Sequence, residues 1–242
     1  MIPIRDTIPS RCFPLATLSL IAANVLVFIW HRSLSIAQQE LVVYWLGLVP
    51  ARYTNLLSAN PSGWPMFGWW PFLTHMFLHA NLPHLIGNMW SLWIFGDNVE
   101  DRMGSGRFLI FYLLGGLAAA AAQILMHPSA RLPMVGASGA VAAVLGAYFL
   151  LFPRSQIIAF APVLFYPLFF TVPAATYLLF WFLSQWWAGT LSQLMPARTG
   201  GIAWWAHIGG FLFGLFLHPL FMISRRRCRR LPEEFFWEEF WR

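Results

Sequence analysis

The chain has no lysine; all of its fifteen Lys+Arg positions are arginine. Charge of either sign is scarce. Asp, Glu, Lys and Arg make up 10% of the 242 residues, against about 25% in an ordinary soluble domain. So few ionised side chains cannot cover a globular surface. That excludes a soluble cytosolic enzyme, a disordered protein and, despite the net charge of +6, a nucleic-acid binder. Acids are missing altogether between Asp101 and Glu233. Cysteine is nearly absent too, with only Cys12 and Cys228.

Hydrophobic residues take the place of charge, at 59% of the chain with a mean hydropathy of +0.61. Six charge-free stretches reach 20 residues or more: 12–31, 53–96, 108–130, 132–153, 155–197 and 199–224. A bilayer-spanning helix needs about 20 apolar residues. The pattern predicts a polytopic membrane protein with six spans, near 14–30, 82–96, 107–126, 137–152, 172–191 and 202–222. His31-Arg32, not a small-residue cleavage site, follows the first apolar run, so that run reads as a retained span and not a secretory signal. The apolar segment 155–171, broken by Pro162 and Pro167, reads as a re-entrant or interfacial loop.

Arginine distribution orients the chain. Arg5 and Arg11 precede the first span, and Arg225, Arg226, Arg227, Arg229 and Arg230 follow the sixth. Short Arg-rich loops face the cytoplasm, so both termini are expected there, as an even span count requires. Residues 1–13 are then a cytoplasmic N-terminus, 14–222 the six-span domain with an external loop at 31–81, and 223–242 a basic, then acidic-aromatic, cytoplasmic tail. That tail reads as an interfacial anchor. Both cysteines fall near the cytoplasmic face, which argues against a structural disulfide. The external loop carries Trp64, Trp69 and Trp70 with Pro61, Pro65 and Pro71, a composition suited to the outer headgroup level.

Polar groups inside a bilayer are costly and are functional candidates by default. The second span carries His84 and Asn88, four residues apart on one helical face, with His75 and His79 upstream. The fourth opens with Gly136-Ala137-Ser138-Gly139-Ala140. The sixth carries His207, roughly 8 Å from its start at 1.5 Å per residue, then Gly210 and Gly214. The topology puts Ser138, His207, His84 and Asn88 at similar depth in the outer leaflet. Acyl transfer suits them. A serine hydroxyl needs a positioned base, and an imidazole titrates near neutrality. Gly136 and Gly139 allow close backbone approach at a helix start. Free amides there would stabilise an oxyanion, with His84 and Asn88 as added donors.

The missing acid constrains the chemistry. Asp97, Glu100 and Asp101 are expected on the cytoplasmic side and Glu40 in a loop, so a serine hydrolase here would use a Ser–His pair without a carboxylate. Ala140 stands two residues after the serine, where the α/β-hydrolase elbow needs glycine. His75, His79 and His84 raise the question of metal, but HExxH is absent and no Asp, Glu or Cys lies nearby in sequence; no metal is expected. Gly210 and Gly214 form a GxxxG seam whose usual role is close helix packing.

His84-x-x-x-Asn88, Gly136-Ala137-Ser138-Gly139 and Ala206-His207-x-x-Gly210-x-x-x-Gly214, in that order, resemble the rhomboid intramembrane serine proteases. Thr74–His79 and Phe95–Gly104 are similar to that family's flanking segments, and the likeness covers about residues 15–222. The resemblance implies an all-α, six-transmembrane-helix bundle with a water-accessible cavity open to the outside. It implies Ser138 as nucleophile and His207 as general base and acid. His84, Asn88 and the Ser138 amide would form the oxyanion hole, and His79 would help hold cavity water. Substrates would be single-span membrane proteins in the lipid bilayer, with no cofactor, metal or nucleic acid. The expected location is a bacterial inner membrane. The alternative is a catalytically silent relative that binds or extracts membrane helices. Two positions depart from the family pattern. Trp70-Pro71 stands where Trp-Arg is frequent. Ala142 stands four residues after the serine, where an aromatic often packs on the catalytic histidine; Trp204 or Trp205 is expected to replace it.

Overall fold

A computed structural model describes residues 2–54, 68–163, 166–194 and 202–223. Trp64, Pro61, Pro65, Cys228 and the tail from Arg225 onward lie outside the described residues. The described chain is mostly helical. In order come β1 (Ile2–Asp6), α1 (Leu15–Ser33), α2 (Ile36–Leu46), α3 (Ala51–Thr54), α4 (Pro71–Thr74), α5 (Leu82–Met103), α6 (Ser105–Met126) and α7 (Ser138–Leu151). They are followed by β2 (Gln156–Val163), β3 (Tyr166–Pro173), α8 (Ala174–Leu194) and α9 (Trp204–Leu217). Helices therefore occupy all six stretches expected to span. Among the described residues, Leu15–Ser33, Ser105–Met126 and Trp204–Phe221 are long and apolar enough to cross a membrane.

α7 is the centre of the bundle. Every residue from Gly139 to Tyr148 is buried, so this helix has no polar face. At 14 residues it is about 21 Å long, shorter than a ~30 Å hydrocarbon core. α7 packs on α9 backbone to backbone. A Cβ on Gly210 would strike the Gly139 carbonyl, one on Gly214 the Ala143 carbonyl, and one on Gly146 the Phe211 carbonyl. Small residues permit this closeness because no side chain intervenes.

At one end of the bundle the carboxylates of α5 cap α1. Glu100 is fully buried. It accepts hydrogen bonds from the amides of Ala16 (3.0 Å) and Thr17 (2.8 Å), the Thr17 hydroxyl (2.8 Å) and the Ser105 hydroxyl (2.6 Å). Asp101 accepts from the Arg11 and Cys12 amides at 2.6 and 3.0 Å. A helix N-terminus leaves orphan amides, and Pro14 at the N-cap offers no side-chain bond, so the acids of another helix satisfy them.

Two expectations, the all-α fold and the loop at 155–171, are corrected. The fold is not all-α: where a re-entrant or interfacial loop was expected, β2 and β3 pair antiparallel, and β1 extends them into a sheet of order β1-β2-β3. Pro162 and Pro167 face each other in its register. β3 is an edge strand, and Pro162 lies beyond the last residue that pairs with β1, so neither imide removes a donor from a central ladder. Within 1–13, β1 is a docked strand. Asp6 accepts from the Tyr148 hydroxyl (2.5 Å) and from Asn98 Nδ2 (2.8 Å). Burial raises the Asp6 pKa to about 6.

The described residues of the segment 31–81 carry local structure. α2 opens with a Ser35/Gln38 capping box. Leu48 bridges Met134 in antiparallel fashion. Thr74 donates to the Leu46 carbonyl at 2.7 Å.

Candidate active site

Ser138 is the first residue of α7, and no side chain caps this helix. Its opening amides therefore point out of the helix end, where the dipole is positive. The approach to Ser138 is held by the loop in front of it, since the Gly136 amide donates to the His75 carbonyl at 2.8 Å. Gly136 has φ +126°, a region open to glycine but strained for other residues. A Cβ there would also collide with the His84 ring and approach Asn88. The glycine thus brings the fourth-span motif against the second-span motif.

His207 enters from the second turn's start of α9. That helix begins where the Ala206 amide donates to Gln123 Oε1 of α6 at 3.3 Å. Across the glycine seam, His207 Nε2 lies 2.8 Å from Ser138 Oγ. The other ring nitrogen, Nδ1, lies 2.7 Å from Gln185 Oε1 of α8. His207 and Gln185 are buried; Ser138 is partly exposed.

Asn88 is buried and donates through Nδ2 to His79 Nε2 at 3.0 Å. The His79 and His84 rings meet edge to face with centroids 5.1 Å apart. His79, His84, Asn88 and Gly136 thus form one wall beside Ser138, and His207 another. Gly139 lies against Ala119 of α6 and near the Ala206 carbonyl, making it a packing contact one residue into the helix. His75 turns away and gives Nδ1–H to the Pro71 carbonyl at 2.7 Å, so its imidazole is spent on the loop. Among the described residues, no group of three His, Cys, Asp or Glu is placed to hold a metal ion.

Of the two aromatics expected beside His207, Trp204 is there, and Trp181, which was not expected, joins it. Trp181 of α8 lies over the His207 ring at 5.9 Å and 33°, and Trp204 meets that ring edge-on at 6.1 Å and 89°. Trp205 instead pairs with Trp186. Ala142 packs toward Gly210 in the seam, where an aromatic would have to part the helices. Trp181 and Gln185 were missed from sequence. The available signal was an amide in mid-helix, four residues after a tryptophan, inside the charge-free stretch 155–197; polar residues in such a run are candidates by default.

The three expected carboxylates sit at the other end of α5. Glu100 is twelve residues from Asn88, about 18 Å along the helix, and its oxygens are already engaged with α1 and Ser105. Gln185, a neutral amide, occupies the position behind the histidine.

Comparison with known proteins agrees with the motifs. A Rhomboid domain matches residues 66–224, and the chain belongs to the rhomboid family. It is 43% identical over 79 residues to Rhomboid protease GluP of Bacillus subtilis, covering 33% of this chain and 15% of that one. It is 30% identical over 162 residues to Rhomboid protein 1, mitochondrial, of Saccharomyces cerevisiae, covering 64% and 43%. It is 28% identical over 206 residues to the human Presenilin-associated rhomboid-like protein, mitochondrial, covering 81% and 45%. The chain thus spans less than half the length of each of these three relatives. They include a named protease and a protein named only as rhomboid-like. The protein is membrane-embedded, and its family includes serine intramembrane proteases.

Proposed function

We propose that the chain is an intramembrane serine endopeptidase that cuts transmembrane segments of single-span membrane proteins. The observation that carries this reading is the 2.8 Å contact between Ser138 Oγ and His207 Nε2 at an uncapped helix N-terminus. The Ser138 hydroxyl gives its proton to Nε2 as Oγ bonds to the scissile carbonyl carbon. The oxyanion that forms takes hydrogen bonds from the Ser138 amide, Asn88 and His84. Collapse breaks the C–N bond, and the imidazolium returns its proton to the leaving amine. Water then attacks the acyl-enzyme with His207 again accepting the proton, and Ser138 is released.

The reading includes six spans, both termini cytoplasmic, and a wet cavity open to the outer side that His79 helps to line. The short α7 supports this, because a helix of about 21 Å leaves its first residue below the surface of a ~30 Å core. A bound substrate helix has every mid-membrane amide paired, so local unwinding, easiest near Gly, Pro or small residues, precedes attack. The terminal arginines support a cytoplasmic-side assignment of the ends. The compartment we propose is a bacterial inner membrane, where GluP supplies a bacterial relative, and fractionation of tagged protein tests it. The silent alternative gains no support from the residues, since nucleophile and base are both present.

Cleavage of a generic single-span substrate in liposomes tests the proposal. Ser138→Ala and His207→Ala each abolish product while remaining folded, and a fluorophosphonate probe labels wild type but not Ser138→Ala. Wild-type rates in Ser138→Ala overturn the assignment.

A further inference from the structure

We propose that Gln185 is the third member of the Ser138–His207 pair: a positioning residue whose amide oxygen holds the imidazole in the tautomer able to accept the serine proton. The inference rests on the protease reading and deepens it.

The neighbours fix which way the amide faces. The Trp181 carbonyl can only accept, and Gln185 Nε2 donates to it at 3.3 Å. Ser184 gives its own proton to that same carbonyl at 2.6 Å, so its oxygen accepts from the Gln185 amide nitrogen at 2.9 Å. The remaining atom, Oε1, can only accept. It lies 2.7 Å from His207 Nδ1, so Nδ1 carries the hydrogen. Nε2 is then left with its lone pair toward Ser138 Oγ at 2.8 Å. One unbroken chain of hydrogen bonds, anchored on a helix carbonyl, decides the protonation pattern of the base. Such orienting partners behind a histidine set its tautomer and ring direction.

Trp181 and Gln185 are four residues apart on one face of α8. The first lies over the imidazole ring and the second holds its edge, so a single helix sets both ring plane and rotation. The other imidazole in electrostatic reach is His84 from α5. A carboxylate in this buried place would be a charge without a balancing partner in the resting site, which is costly inside a membrane. The amide accepts the same hydrogen bond with no charge. Gln185 takes up no proton and touches no reacting atom.

The experiment compares Gln185→Leu, Gln185→Glu and Ser138→Ala with wild type in the liposome cleavage assay. Each is also followed by thermal unfolding and by 15N NMR of histidine-labelled protein in detergent. In Gln185→Leu, kcat falls on the order of 10- to 100-fold with KM nearly unchanged, and the Nδ1–H signature of His207 is lost. Gln185→Glu restores an acceptor. It brings kcat back to within about fivefold of wild type at alkaline pH and moves the acid limb of the rate profile up by about one pH unit, because a carboxylate favours imidazolium. Unchanged kcat and tautomer in Gln185→Leu overturn the inference. So does a rate loss shared equally by both Gln185 variants and matched by lost thermal stability. If Ser138→Ala is inert while Gln185→Leu equals wild type, this inference alone has failed; if Ser138→Ala cuts like wild type, the protease reading has failed with it.

Discussion

The two ends of the bundle handle buried polarity in opposite ways. At the Glu100 end, four donors converge on one carboxylate, and Asp101 takes two more. Each acid there is consumed by orphan amides and hydroxyls that the fold must satisfy. At the Ser138 end the groups are neutral and sparse. The helix N-terminus is uncapped, and one hydroxyl–imidazole contact is held between seams of glycine and a row of tryptophans. Saturation gives stability; an unfilled helix end gives room for a developing charge. Loss of a residue at one end should therefore be read in folding, and at the other in rate.

The sharpest break is Ser138→Ala. Cleavage falls to background, and the thermal midpoint moves by no more than about 1 °C, because one partly exposed hydroxyl contributes little to folding. Glu100→Ala does the reverse. It strands four donors, so unfolding in detergent becomes easier by about 3–5 kcal/mol, while the rate per folded molecule stays within about twofold of wild type. A large rate loss in folded Glu100→Ala would show the ends to be coupled. Asn88→Ala is intermediate: kcat/KM drops by about 10²-fold with partial activity kept, since the Ser138 amide remains. Full loss at unchanged stability would mean that Asn88 is the dominant oxyanion donor.

The smallest effect concerns β1. Asp6, its pKa raised to about 6 by burial, holds its proton in the folded chain to higher pH than in the unfolded one. It faces the Tyr148 hydroxyl and Asn98, with Asp97 close enough to repel it. The docked strand is therefore most stable below the usual carboxylate range and weakens as pH rises through about 6. Asp6→Asn flattens the thermal midpoint against pH between about 4 and 7. An unchanged slope would mean that another group titrates.

Much of the helical layout was legible because charge is so rare here that its gaps outline the helices. Ser138, His207, His84 and Asn88 stood out as candidates for the same reason: a polar side chain in a long apolar run is conspicuous. The β2–β3 hairpin was not legible, since Gln156–Val163 is apolar at nearly every position. Strand alternation vanishes when both faces avoid charge, although the fold still buries Ile157 and Ala159 alternately. Gln185 and Trp181 were overlooked because neither belongs to a motif, and their importance comes from facing another helix.

Composition and spacing alone determined that the chain enters a membrane, where its helices run, and which few side chains could do chemistry. Those properties follow from transfer free energy, which acts residue by residue. The tertiary structure decided which polar groups meet. It brought a hydroxyl and an imidazole 69 positions apart to 2.8 Å, put an amide behind the imidazole, and sent the acids to the far end. Hydrogen bonds act over about 3 Å, and only the packing of helix on helix sets distances that short.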